Sequence, residues 1–210
     1  MIKVFIADDH PVVRAGIKQI LAEAQDIELC GEAENGQEVL DKIDHCKPHV
    51  LILDIAMPGR GGVETLKRVT DTNPDIAIII LSMYPEDQYA LRLLKSGASG
   101  YLTKECASDQ LVNAVRKVAQ GKKYISPTLA EILADNITGN SDQPPHQELS
   151  NREYQIFCLL ASGRRVSEIA DELSLSVKTI STYRMRILRK LNMTKNAELT
   201  YYAIKNKLVD

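Results

Sequence analysis

Residues 50–54 read Val-Leu-Ile-Leu-Asp, four apolar side chains without alternation closed by a carboxylate. A run of that kind suits a strand buried on both faces, which is the condition of a parallel sheet. The pattern recurs. Residues 3–7 (KVFIA) lead into Asp8 and Asp9, residues 76–81 (IAIIIL) into Ser82, and residues 100–103 (GYLT) into Lys104. Four strand ends carrying three carboxylates, a hydroxyl and an amine are expected to meet at one edge of one sheet.

Working outward, strands are predicted at 3–7, 28–32, 50–54, 76–82 and 100–103. Helices are predicted at 12–24, 36–45, 62–73, 86–96 and 108–120, where apolar residues recur at three-to-four spacing, as Leu111, Val115 and Val118 do. Strand–helix alternation with short connections implies crossovers and a parallel sheet covered on both faces, an α/β flavodoxin-like (βα)5 unit. Gly121 ends this pattern, and Pro127 is placed to begin a short helix to about residue 136. Residues 139–146, GNSDQPPH, have no apolar member and two prolines, which is linker composition. Ser150 and Glu153 then form a capping box, opening helices near 151–161, 166–173, 177–191 and 196–206. The expected organisation is an α/β domain over 1–122, a linker with a short helix over 123–146, and an all-α domain over 147–210.

A chain of 210 residues accommodates two domains. No apolar run approaches the roughly 20 residues that a membrane helix needs, and MIKVFIADD lacks the features of a signal peptide. Cys30, Cys46, Cys106 and Cys158 are scattered without zinc spacing, as expected of reduced thiols in a cytoplasmic protein. The net charge of −2 hides a split: residues 147–210 carry +4 and the remainder −6. A basic C-terminal module on an acidic body is expected where one end meets a polyanion.

Ligands of open α/β sheets bind at the carboxyl ends of strands where the strand order reverses. If strands 1 and 3 flank that point, Asp8, Asp9 and Asp54 converge there. Their mutual repulsion calls for a hard divalent cation, Mg2+, with the carbonyl of Ala56 as a further ligand. Lys104 and Ser82 suit the oxygens of an incoming phosphoryl group, and Asp54 is the expected nucleophile.

The second motif is residues 173–192, LSLSVKTISTYRMRILRKLN. On a helix over 177–191, Lys178, Ser181, Thr182, Met185 and Arg189 share a sector of about 100°, with Ile180, Ile187, Leu188 and Leu191 opposite. Thr179, Arg186 and Lys190 flank that sector, and Arg184 is expected to pack its stem and extend its head to a phosphate or an acidic partner. Ser176 is the expected cap, and residues 166–176 supply the first helix and turn of a helix-turn-helix. The outer sector suits base edges, thymine methyls and phosphates of a major groove. A solvated basic face of an amphipathic helix is the plainer reading.

Residues 1–122 resemble a two-component receiver domain through the DD of IADDH, the Asp of LILDIAMPG, Ser82 and the Lys of YLTKE. The resemblance implies phosphorylation of Asp54 by a sensor histidine kinase, with Asp8 and Asp9 serving the metal and Lys104 contacting the phosphoryl group. It also implies a switch in which Ser82 turns toward the phosphate and Tyr101 swings inward. Glu105 departs from the proline that many receivers carry. Residues 149–207 resemble a LuxR-type helix-turn-helix through LSNRE, IADEL and SVKTISTYRMRILRKL. Together they resemble the NarL/FixJ class of response regulators, and GKKYISPTLAEILA with KTISTYRMRIL resembles its GacA/UvrY-like subset.

Carried over by position, Ser181, Thr182 and Met185 are expected to contact bases. Lys178, Thr179, Tyr183, Arg186 and Arg189 are expected at phosphates or groove edges, and lysine often stands where this chain has Met185. The implied function is a phosphorylation-dependent regulator of transcription that binds double-stranded DNA as a homodimer and is not an enzyme. Leu199, Tyr202 and Ala203 in the last helix are read either as a dimer surface or as domain core. Two other readings stay open at this point: a phosphohydrolase of the haloacid dehalogenase type, although IADDH lacks its DxD spacing, and an interaction protein whose basic module binds RNA or protein.

Overall fold

Five strands, β1 (Ile2–Ala7), β2 (Ile27–Ala33), β3 (Val50–Asp54), β4 (Ala77–Ser82) and β5 (Gly100–Thr103), form one parallel sheet in the order β2-β1-β3-β4-β5. They come from a computed structural model that describes residues 1–58, 61–106, 108–138, 144–206, 208 and 209, with backbone alone at 87, 88 and 135–138. Alternating with the strands are α1 (Pro11–Ala22), α2 (Gly36–Cys46), α3 (Gly62–Thr72), α4 (Glu86–Lys95) and α5 (Ser108–Ala119). The strand order reverses between β1 and β3, as expected. Their registers pair Ala7 with Leu53, Asp54 with Leu81 and Ser82 with Thr103, so the polar strand ends share one edge.

All five residues of β3 are buried, and those of β4 are buried after Ala77, which explains the unbroken apolar runs. On one face, Val4, Ile6, Val50, Ile52, Ile79 and Leu81 form a core with Ile17 and Leu21 of α1 and Leu111, Val115 and Val118 of α5. Each large apolar side chain buried there contributes about 1.5–3 kcal/mol, so packing rather than propensity holds these helices.

A further helix, α6 (Pro127–Thr138), belongs to this unit. Leu129 is fully buried, Ser126 Oγ hydrogen-bonds Glu86 at the start of α4, and Lys123 Nζ donates to the carbonyl of Ala98 at 2.7 Å. The chain divides into two compact units, Met1–Thr138 and Gly139–Asp210, where the sequence suggests a domain over 1–122 and a linker with a short helix over 123–146. The reason is that α6, read as part of a linker, packs against α4. Residues 139–143 of the expected linker lie outside the described residues.

The second unit holds a 3₁₀ turn (Pro145–Glu148), α7 (Asn151–Ala161), α8 (Val166–Glu172), α9 (Val177–Lys190) and α10 (Asn196–Lys205). The predicted capping box is present: Ser150 N–H donates to Glu153 Oε2 at 2.7 Å, and Glu153 N–H to Ser150 Oγ at 3.3 Å. α7 is buried from Glu153 to Ala161, and α9 and α10 pack on it. Leu199 and Ala203 are fully buried, and the Tyr202 hydroxyl lies 3.0 Å from His146 Nδ1, so these residues are domain core. Among the described residues no helix is long and apolar enough to cross a membrane.

Candidate functional site

At the carboxyl edge of the sheet, Lys104 Nζ lies 2.7 Å from Asp8 Oδ2 and 2.7 Å from Asp54 Oδ2. The Asp8 and Asp54 side chains are almost wholly buried, and that of Lys104 is 7% exposed. Asp9 is half-buried. One oxygen from each of Asp8, Asp9 and Asp54, with a ring nitrogen of His10, falls within 4.8 Å of the others. Asp8 Oδ2 meets Lys104 as a charge without an aligned hydrogen bond, and Asp9 Oδ1 likewise meets only His10 Nδ1, at 2.9 Å.

Burial pushes the Asp54 carboxyl above the usual aspartate value even with an ammonium beside it, and Asp8 adds to the rise. Burial alone would lower Lys104, but the carboxylates outweigh it and hold its ammonium above the ordinary lysine value. Ala56 N–H donates to Asp54 Oδ1 at 2.9 Å, leaving Oδ2 to the lysine.

Ser82 is fully buried, and its Oγ accepts from Tyr84 N–H at 3.1 Å. Tyr101 is fully buried too, its hydroxyl donating to the Tyr84 carbonyl at 2.7 Å. The tyrosine thus already occupies an inward position here.

In the helical unit, Ser176 accepts from Thr179 N–H at 3.0 Å and caps α9 as expected. Ile180 and Ile187 are fully buried, whereas Lys178, Ser181, Thr182, Met185, Arg186 and Arg189 are exposed and Thr179 and Tyr183 half-buried. Arg184 Nε donates to Asn196 Oδ1 at 2.6 Å, so its head meets an amide of α10 instead of an acidic side chain. Lys190 Nζ is 2.6 Å from Glu153, which draws it to α7 and away from the outer sector.

Comparison with known proteins agrees with both constructions. Residues 4–116 match the response regulator receiver domain, and residues 147–203 match the bacterial regulatory proteins of the luxR family. The chain is 40% identical over 210 residues to the response regulator GacA of Pseudomonas protegens, covering 100% of this chain and 99% of that one. It belongs to the NarL/FixJ-class response regulators.

Another relative, the oxygen regulatory protein NreC of Staphylococcus carnosus, is 40% identical over 215 residues, covering 99% of each chain. Among solved structures, RcsB from Salmonella enterica serovar Typhimurium bound to promoter rprA in the presence of phosphomimetic BeF3- matches with a TM-score of 0.67 and 29% identity, over 96% of this chain and 98% of that one. The response regulator therefore joins a receiver to a LuxR-type DNA-binding domain.

Sequence reasoning missed two residues that shape the receiver pocket. Arg14 of α1 is 8% exposed, and its Nη1 donates to the Asp8 carbonyl at 2.7 Å while Nη2 pairs with Glu34. It fixes the backbone that carries the two adjacent aspartates. Gly62 opens α3 so close to β3 that a Cβ there would lie 2.0 Å from the Asp54 carbonyl oxygen. The one sequence signal for Arg14 was a cation six residues after Asp8, which reads as helix surface; Gly62 gave only a helix start.

Proposed function

We propose that Asp54 is the phosphoacceptor of a two-component pathway. Its carboxylate attacks the phosphorus of a phosphohistidine on a sensor histidine kinase in the cytoplasm, forming an O–P bond as the N–P bond breaks and the kinase's imidazole leaves and takes up a proton. The observation that carries the reading is Lys104 Nζ held 2.7 Å from both Asp8 and Asp54, where it neutralises charge on a phosphoryl oxygen. A desolvated carboxylate is the more basic oxygen, which suits a nucleophile.

Asp8, Asp9, Asp54 and the Ala56 carbonyl would hold Mg2+. Their oxygens fit a hard cation, and the buried Asp9 Oδ1 without a hydrogen bond supports the site. His10 in the same cluster is the softer ligand and fits it less well. When bound, the ion supplies charge neutralisation for a phosphoryl oxygen.

Phosphorylation favours one of two receiver states through Ser82 and Tyr101, and that state promotes pairing into a homodimer that binds duplex DNA through α9. Lys178, Thr179, Ser181, Thr182, Tyr183, Met185, Arg186 and Arg189 are the proposed contacts. The exposed Tyr201 and Ile204 of α10, at 71% and 54%, support a pairing surface distinct from the buried stripe expected earlier. The chain acts as a regulator and not as an enzyme.

The test is phosphorylation by acetyl phosphate with Mg2+, read by intact mass and by duplex binding. One phosphoryl group and tighter, salt-sensitive binding are expected, both lost in Asp54→Asn. Phosphoryl uptake that persists in Asp54→Asn refutes the assignment, and steady turnover of small phosphate esters favours a hydrolase.

A further inference from the structure

The outward sector of α9 carries a side chain that a hydrophilic reading face does not account for. Met185 is 66% exposed, on the side opposite the fully buried Ile180 and Ile187. Three residues earlier, Thr182 Oγ1 donates to the Lys178 carbonyl at 2.9 Å, so its hydroxyl is committed to its own helix and its γ-methyl is free to make contacts. Residues three apart are neighbours on a helix surface.

The adjoining cations are drawn elsewhere. Arg184 is tied to Asn196, Lys190 to Glu153, and the Arg186 guanidinium lies 5.9 Å from the centre of the Tyr183 ring. Lys178 and Arg189, both exposed, stand about two turns and one turn from Met185 on opposite sides. Around Met185 the sector thus presents the Thr182 methyl and the small Ser181 side chain one turn away, with cations at its ends.

The major groove offers one apolar group to the Met185 side chain, the C5 methyl of thymine. We infer that Met185, with the Thr182 methyl beside it, is a specificity-determining residue that selects a thymine by its methyl. The inference rests on α9 being the DNA-reading helix. A lysine at this position would instead donate to guanine O6 and N7. Burying one methyl contributes about 0.8 kcal/mol, a factor of roughly four in affinity.

The test uses the full chain, phosphorylated with acetyl phosphate, to select duplexes from a random pool. Each thymine of the selected site is then replaced singly by deoxyuridine, which removes only the methyl. One thymine is expected at which the wild type loses about fourfold and Met185→Ala loses nothing further. Met185→Lys is expected to shift the preference at that pair toward guanine. Indifference to every methyl, or a methyl effect of equal size in Met185→Ala, overturns the inference while leaving duplex binding intact. Failure to enrich any duplex overturns the DNA-reading assignment of α9 itself, and the inference with it. Met185 is exposed, so circular dichroism of the variants is expected to match the wild type.

Discussion

Replacing Lys104 with methionine removes one positive charge from a pocket built around it. The ammonium sits 2.7 Å from an oxygen of each of two carboxylates whose side chains are no more than 2% exposed. At an effective dielectric constant of about 20, each attraction amounts to roughly 6 kcal/mol. Much of that is offset by the cost of burying the ammonium. Breaking a buried pair by deleting one partner costs about 3–5 kcal/mol, because the other charge stays buried alone. Lys104→Met is therefore predicted to lose that much in metal-free neutral buffer. For a unit of this size the loss lowers Tm by on the order of 10–20 °C.

The pH dependence follows from the directions of the two shifts. The Lys104 ammonium is held above its ordinary value of 10.5, so its stabilisation is complete below that value and lost as pH rises through the folded-state value. The Asp54 carboxyl is also raised, above 3.8, so the cost of its burial is absent in acid below 3.8, grows as pH rises from there and is complete above its folded value. The deficit of Lys104→Met should accordingly shrink on acidification. Millimolar Mg2+ should stabilise the variant more than the wild type, which already has a cation in the pocket; saturation a hundredfold above Kd gives about 2.7 kcal/mol. Scanning calorimetry of the full chain, with and without EDTA, measures both effects. A variant that melts with the wild type in EDTA, or gains nothing extra from Mg2+, refutes this account of the pocket.

Three other perturbations follow from the same geometry. Gly62→Ala forces a Cβ to within 2.0 Å of the Asp54 carbonyl oxygen, a backbone atom that cannot step aside. A loss of at least about 2 kcal/mol by urea denaturation is expected, together with impaired phosphoryl uptake; wild-type values for both would show the approach to be looser than described. Leu129→Asp places a charge at a fully buried position of α6. Hydrogen exchange should rise across 127–138 while β1 and β3 stay protected, whereas protection retained in α6 would show that Leu129 does not hold it. Lys190→Met strips Glu153, whose side chain is 6% exposed, of its cation at 2.6 Å. Burial would raise the Glu153 carboxyl, but Lys190 and the Ser150 backbone outweigh it and hold it below 4.5. Its stabilisation is present above that value and lost as pH falls through the folded value. The variant should thus lose about 2–4 kcal/mol at pH 7, discounted for the half-open lysine, and far less at pH 3; equal losses at both would exclude the ion pair as the cause.

What could be read from the sequence was whatever a period or a shared edge encodes. LILD and IAIIIL announced buried strands, and a parallel sheet sends the ends of such strands to one side. Asp8, Asp54, Ser82 and Lys104 were therefore placed together without any pairwise signal between them. The capping box at Ser150 and the inner stripe of α9 were legible for the same reason, being local and periodic. What escaped were contacts that no period marks. Arg14 looks like a surface cation until its guanidinium is seen bonded to the Asp8 carbonyl. Arg184 is expected to reach a phosphate or an acidic partner and Lys190 to flank the polar sector, but their partners lie on other helices, Asn196 at 12 residues and Glu153 at 37.

The helix over 127–138, expected from sequence as the short helix of the linker, packs against α4. Ser82 Oγ and the Tyr101 hydroxyl both bond the backbone of Tyr84, two residues before Glu86, and Glu86 holds Ser126 at the start of α6. Gly100, next to Tyr101, bridges Tyr124 just ahead of that helix. Hydrogen bonds, joined by the chain from Tyr84 to Glu86, thus link the carboxyl edge of the sheet to the last helix of the first unit. Continuity alone transmits nothing; transmission requires an element with two arrangements that the phosphate biases. The segment from Ser82 to Glu86 has the right construction for that element. Two side chains from separate strands converge on one short stretch of backbone, Ser82 Oγ on the Tyr84 N–H and the Tyr101 hydroxyl on the Tyr84 carbonyl.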